Sequence, residues 1–187
     1  MPNWCNNSIT IKHKDPAMIE RVIKAEGLLM EFLPTPKELV DTVAGFKGED
    51  EREAHEAQQK ANIEKFGYKD WYDWNVANWG TKWDVNLEDK VRVGDTVTAW
   101  FESAWAPPCN AYEKLCALGF EIKAYYNEPG MAFCGIWEGT EDDFYDDYYE
   151  YGSETSATVR EVIGAELDDF WCISEDMANW EEENAEE

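Results

Sequence analysis

Histidine, cysteine and clustered carboxylates are the side chains best suited to catalysis or metal binding, and this chain offers few arrangements of them. Its two histidines are His13, among lysines at the end of an alternating run, and His55, in a charged stretch. Neither has a Ser or Cys partner in a recognisable local signature, so both are expected to be structural or solvated. The five cysteines, Cys5, Cys109, Cys116, Cys134 and Cys172, are odd in number and lack Cys-x-x-Cys spacing. They are expected to be reduced and mostly buried thiols. No His-x-x-x-His and no Asp-x-Asp-x-Asp-Gly loop occurs, so no metal is expected. The cluster of Asp142, Asp143, Asp146 and Asp147 lacks the glycine turn and spaced glutamate of a calcium loop and reads as a solvated acidic face. Phosphate-cradling glycine patterns are absent, and no cofactor is expected. Asp84, Glu102 and Glu128 fall near expected strand ends and could converge for acid–base work, with Trp79 and Trp83 as walls of a candidate pocket.

The elements that must position these groups follow from periodicity. Ser8 to Lys12 alternates as a half-buried strand. Asp15-Pro16 opens a helix with Met18, Ile19, Val22 and Ile23 on one face, and Gly27 closes it. Residues 37–80 read as a helical insertion. Its first part, Glu49 to Lys65, is charged and weakly periodic, and its second carries Trp71 and Trp74 on one helical face before Gly80. Strands are expected at 82–88, 96–104, 120–126 and 131–137, with a helix after Pro107-Pro108. With the insertion removed, the order is βαββαβ plus a hairpin strand. That is a ferredoxin-like split βαβ, an α+β fold with both helices on one face of an antiparallel sheet.

Charge is distributed unevenly over the 187 residues. The chain has 41 acidic and 16 basic residues, a net of -25. Residues 141–187 hold 18 acids and one base, Arg160, a net of -17, so residues 1–140 carry the remaining -8. Such a surface repels phosphates, which excludes bare nucleic acid as partner and disfavours an anionic membrane. No run approaches the ~20 apolar residues of a membrane helix, and no signal peptide is visible at the start. The acidic segment is also aromatic, with Phe144, Tyr145, Tyr148, Tyr149, Tyr151, Phe170, Trp171 and Trp180. Val159, Val162, Ile163, Leu167 and Phe170 have helical spacing. A docked amphipathic extension is expected, fraying from Glu181, with Asp142, Asp143, Asp146, Asp147, Glu161, Glu166, Asp168, Asp169, Glu175 and Asp176 in solvent. As a helix it would span at most about 70 Å, about one net charge per 4 Å, close to the ~3.4 Å spacing of one DNA strand. Trp100 and Tyr125 fall on a sheet face that could stack bases, or that the insertion and the acidic segment cover.

Four segments carry a resemblance: the opening Met-Pro-Asn-Trp-Cys-Asn-Asn, Trp79-Gly80-Thr81-Lys82-Trp83-Asp84, Glu102-Ser103-Ala104-Trp105-Ala106-Pro107-Pro108, and Tyr126-Asn127-Glu128-Pro129-Gly130. In that order they resemble the YubB-like family of uncharacterised proteins carried on plasmids and phages. The likeness spans roughly residues 1–140 and implies a ferredoxin-like region and a mobile-element setting. It supplies no activity and no catalytic residues.

The expectation is therefore an acidic interaction protein in the cytoplasm of a bacterial host, more an interaction module than an enzyme. It would mimic nucleic acid and occupy a basic groove on a host nucleic-acid-handling or defence protein. Asp142, Asp143, Asp146, Asp147, Glu150, Asp168 and Asp169 would form the contact. The alternatives are an enzyme using Asp84, Glu102 and Glu128, or acidity that serves only solubility.

Overall fold

A computed structural model describes residues 2–45 and 48–185. Six strands form one antiparallel sheet: β1 (Trp4–Lys12), β2 (Glu88–Val93), β3 (Thr96–Ala104), β4 (Glu121–Glu128), β5 (Phe133–Gly139) and β6 (Phe144–Glu150), in the order β2-β3-β1-β4-β5-β6. The first four strands have the order of a ferredoxin-like split βαβ, and the β5–β6 hairpin widens the sheet beyond β4. Helices α1 (Pro16–Lys24) and α6 (Cys109–Cys116) supply the two crossovers. Asp15 caps α1 by accepting the Ala17 amide, with Pro16 at the first helical position, as the sequence indicates.

Both crossover helices pack on one face of the sheet. Ile19 and Val22 from α1, and Ala111, Tyr112 and Leu115 from α6, meet Ile9, Ile11, Val97, Ala99, Phe101, Ile122, Ala124 and Tyr126 in one buried cluster. The period-2 alternation of the strands alone places these residues on the same side. The insertion also feeds this core. Between α1 and β2 run α2 (Leu28–Phe32), α3 (Lys37–Val40), α4 (Arg52–Phe66) and α5 (Trp71–Trp79). Helix α4 buries little of its surface and ends on Gly67, and α5 ends on Gly80, both left-handed as the glycine signals require. Trp79 is buried and donates its indole N–H to the Leu33 carbonyl at 3.0 Å. Burying one such ring contributes about 3 kcal/mol.

Two expectations differ from the structure. Residues 82–88 do not form a strand; β2 begins at Glu88. The alternation of buried Val85 and Leu87 around exposed Asn86 is real, yet this segment is pinned by a side chain rather than by a ladder. Asp84 Oδ1 accepts the amides of Leu29 at 2.8 Å, Met30 at 3.3 Å and Val85 at 2.9 Å, and so caps α2. Gly27 leaves the space that carboxylate fills, since a methyl there would lie 1.8 Å from Asp84 Oδ2.

The second difference lies in the acidic segment, which is not purely helical. Residues 144–150 are β6, and only then come α7 (Val159–Trp171, broken at Gly164) and α8 (Ile173–Asn184). These helices cover the other sheet face. Val159, Ile163, Leu167 and Ile173 form a second core with Cys134, Ile136 and Tyr151. Val162 and Phe170 stay partly exposed, at 39% and 36%. Helix α8 runs through Glu181, which accepts from the Ser156 amide and hydroxyl, to Asn184; residues 186 and 187 lie outside the described part.

Candidate functional site

The β5–β6 hairpin concentrates exposed acid and aromatic side chains on one edge of the sheet. Its turn closes through the Thr140 amide on the Asp143 carbonyl at 2.9 Å, which leaves Asp142 and Asp143 in solvent at the tip. Strand β6 pairs with β5 on one side, and no described strand pairs with the other. Alternation sends Phe144, Asp146, Tyr148 and Glu150 toward the α6 face, and Tyr145, Asp147 and Tyr149 toward α7. Phe144, Tyr145 and Tyr148 are each about half exposed. Tyr148 donates its hydroxyl to Glu150 at 3.1 Å, and Tyr145 donates to Glu138 at 2.8 Å.

Asp146 departs from the rest. It is exposed, as expected, but its carboxylate also borders a cleft of about 480 Å³ between α5, the start of α6 and β4–β6. Tyr126 donates its hydroxyl to Asp146 Oδ1 at 2.6 Å, and the Cys109 thiol lies 3.9 Å from Oδ2. The Tyr126 ring reaches there because Gly135 has no side chain in its path. Trp105, Phe133 and Tyr148 form aromatic walls. Trp105 has φ 69°, a left-handed conformation that costs a tryptophan energy, and its amide is held by the Asn3 carbonyl at 2.9 Å. Burial raises the Asp146 carboxyl above its ordinary value, despite the Tyr126 bond that opposes it. Burial, then the Asp146 charge, pushes the Cys109 thiol up, which favours its protonated form.

The remaining acids lie on α7 and α8. Glu161, Glu166, Asp169, Glu175 and Asp176 are exposed. Asp168 is the exception: expected in solvent, it is 2% exposed. Its Oδ1 accepts the Ser174 amide at 2.7 Å, and its Oδ2 accepts the Ser174 hydroxyl at 2.8 Å and the Arg160 guanidinium at 2.7 Å. A carboxylate cannot be buried without such partners, and here it fastens α7 to the start of α8. Burial opposes ionisation, but the bonds from Ser174 and Arg160 outweigh it and hold the carboxyl below its ordinary value. The same guanidinium also binds Asp169 at 2.5 Å.

The carboxylates proposed for a pocket are dispersed. Asp84 caps α2. Glu128, 1% exposed, accepts the amides of Gly130 at 3.0 Å and Met131 at 2.6 Å and so closes the β4–β5 turn. Glu102 is exposed on the α7 side of β3, opposite the side of Glu128. Trp79 is core, whereas Trp83 is partly exposed, 5.8 Å from the Trp4 ring. Trp100 and Tyr125 are stacked on Phe170, with ring centroids 5.6 and 4.3 Å away, so the acidic segment lies over them. Three of the cysteines are buried, Cys109 is half-buried and Cys172 is exposed. Among the described residues, no group of three or more His, Cys, Asp or Glu is placed to hold a metal, and no helix is long and apolar enough to cross a membrane.

The cleft residues Cys109, Tyr126 and Gly135 escaped the sequence reading. The one available signal was Gly135, an isolated glycine inside a strand, which marks close approach by a neighbouring group.

Comparison with known proteins places a family on part of this architecture. Residues 78–168 match the family described as the ferredoxin-like domain in Api92-like protein. Those residues run from the end of α5 through β2–β6 into α7. The crystal structure of a protein api92 from Yersinia pseudotuberculosis aligns over 82% of this chain and 99% of its own, with 12% identity and a TM-score of 0.48. No curated protein matches.

Proposed function

We propose that this chain is an acidic interaction protein that occupies a basic groove on a nucleic-acid-handling protein, holding it by charge mimicry. One observation carries this reading. The only cation after residue 140, Arg160, is consumed by Asp168 and Asp169, so the carboxylates of the β5–β6 tip, β6 and the outer faces of α7 and α8 face water without a counter-charge from their own segment. Phe144, Tyr145 and Tyr148 between those carboxylates add apolar grip of the kind that anchors interfaces. The mobile-element setting, and a defence protein in the bacterial cytoplasm as target, rest on the resemblance to plasmid and phage proteins. The enzyme alternative lacks a comparable observation, because Asp84, Glu102 and Glu128 are dispersed and two of them are committed to backbone amides.

The test is capture from bacterial lysate at about 50 and 200 mM salt, followed by competition of the purified partner with duplex DNA. Affinity is expected to fall steeply over that range, because counter-ions screen the contact. DNA should displace the chain. Changing Asp142, Asp143, Asp147 and Glu150 to lysine should weaken binding about a hundredfold, with circular dichroism unchanged, since all four are exposed. Binding indifferent to salt, to DNA and to the reversal would overturn mimicry.

A further inference from the structure

A second cavity, also of about 480 Å³, lies between α8 and the turn that joins β4 to β5, on the sheet face opposite α6. One face of α8 forms a wall, because Ile173, Asp176, Met177 and Trp180 recur at helical spacing. Tyr151 and Asn127, both buried, line it from the sheet. The described residues around it include three acids, Glu154, Asp176 and Glu181, and no Lys, Arg or His. The sequence after Ala185 adds only Glu186 and Glu187.

The three acids differ in what they already hold. Glu181 accepts the Ser156 amide at 2.9 Å and hydroxyl at 2.6 Å, and Glu154 accepts the Thr158 hydroxyl at 2.7 Å. Asp176 is exposed, and its carboxylate forms no hydrogen bond or ion pair with any described residue. Trp180, one helical turn on, is 66% exposed, so its ring is free to cover an occupant. Asn127 is an independent sign of one. It is 8% exposed, and its Oδ1 accepts the Tyr151 hydroxyl at 2.8 Å. No described residue accepts from its Nδ2, which is not sealed from solvent. A donor left open on so buried an amide needs an acceptor from outside the chain.

We infer that this cavity binds an organic cation, an amine or quaternary ammonium carried on an apolar body. The cation pairs with Asp176, the body lies on Ile173, Met177 and the Trp180 ring, and Asn127 holds a ligand oxygen or a water that enters with it. An ion pair this open to water contributes little alone, so the apolar body must supply much of the affinity. A net charge of -25 draws cations in and repels anions. The inference stands apart from the proposed contact through Asp142, Asp143, Asp147 and Glu150, none of which lines the cavity.

Calorimetric titration of the full chain with phenethylamine, methylammonium and 2-phenylethanol tests it. Phenethylamine, with both charge and ring, should bind with saturation and at least about fivefold more tightly than either probe that lacks one of them. Asp176→Asn should abolish the preference over 2-phenylethanol, and Trp180→Ala the preference over methylammonium. Both side chains are exposed, so circular dichroism should be unchanged. Glu175→Gln is the matched control, because Glu175 shares the first turn of α8 with Asp176 but does not line the cavity, and it should leave binding as it is. The inference fails if phenethylamine gives no saturable heat up to about 10 mM, if it binds no more tightly than methylammonium or 2-phenylethanol, or if Asp176→Asn behaves as Glu175→Gln does.

Discussion

Gly135→Ala is expected to cost about 3 kcal/mol or more, lowering the melting temperature by roughly 6–12 °C for a domain of this size. A Cβ there would lie 2.2 Å from the Tyr126 hydroxyl oxygen and 2.4 Å from the Asp147 carbonyl oxygen. The tyrosine ring can swing only by giving up its bond to Asp146. The carbonyl belongs to the backbone of β6, and it can move only by loosening the ladder to β5. Gly152→Ala is the matched control, because its Cβ would meet only the Ala132 Cβ at 3.4 Å. Urea denaturation followed by circular dichroism separates the two, and equal stability of the variants would show that the close packing of Tyr126 over Gly135 does not govern this sheet.

Asp168→Ala should cost about 3 kcal/mol at neutral pH, because it strands the Ser174 amide and the Arg160 guanidinium that now converge on one buried carboxylate. The sign of its pH dependence follows from the lowered carboxyl. The group binds its proton less readily when folded, so its stabilisation is complete above the unfolded value near 3.9 and fades as pH falls through the folded value. The gap between the native chain and Asp168→Asn should therefore be wide at pH 7 and narrow at about pH 3. A gap that stays constant would mean the side chain acts through packing rather than charge. The loss should centre on α7 and α8, which hydrogen exchange can resolve from the sheet.

Most of the sheet was legible because its strands obey a strict period. Ile9 and Ile11, Val97 to Phe101, and Ile122 to Tyr126 each bury alternate residues against α1 and α6. The helix ends were legible because Asp15, Gly67 and Gly80 act locally. What failed depended on partners distant in sequence. The 82–88 segment has the burial pattern of a strand, but its amides and carboxylate answer to Leu29 and Met30, more than fifty residues earlier. Strand β6 was hidden because an edge strand with both faces half open shows no apolar alternation, and Phe144 to Glu150 reads simply as acidic and aromatic. The surface acids were mostly placed correctly, since isolated carboxylates must stay wet. The misplaced one, Asp168, is the acid whose partners, Ser174 and Arg160, no spacing rule connects.

The open side of β6 has a consequence for how copies of this molecule meet. A bare strand edge is a template on which a second chain can add its own strand, and natural sheets guard against this with charge. Two copies aligned edge to edge would set Asp146, Asp147 and Glu150 against an identical row, with Asp142 and Asp143 beside them. Like charges brought this close repel, so the residues proposed above to meet a basic partner also make this edge unwelcoming to itself. That guard is conditional on ionisation. It weakens as the surroundings approach the isoelectric point near pH 4.2, where the row loses charge while Phe144, Tyr145 and Tyr148 keep their apolar surface.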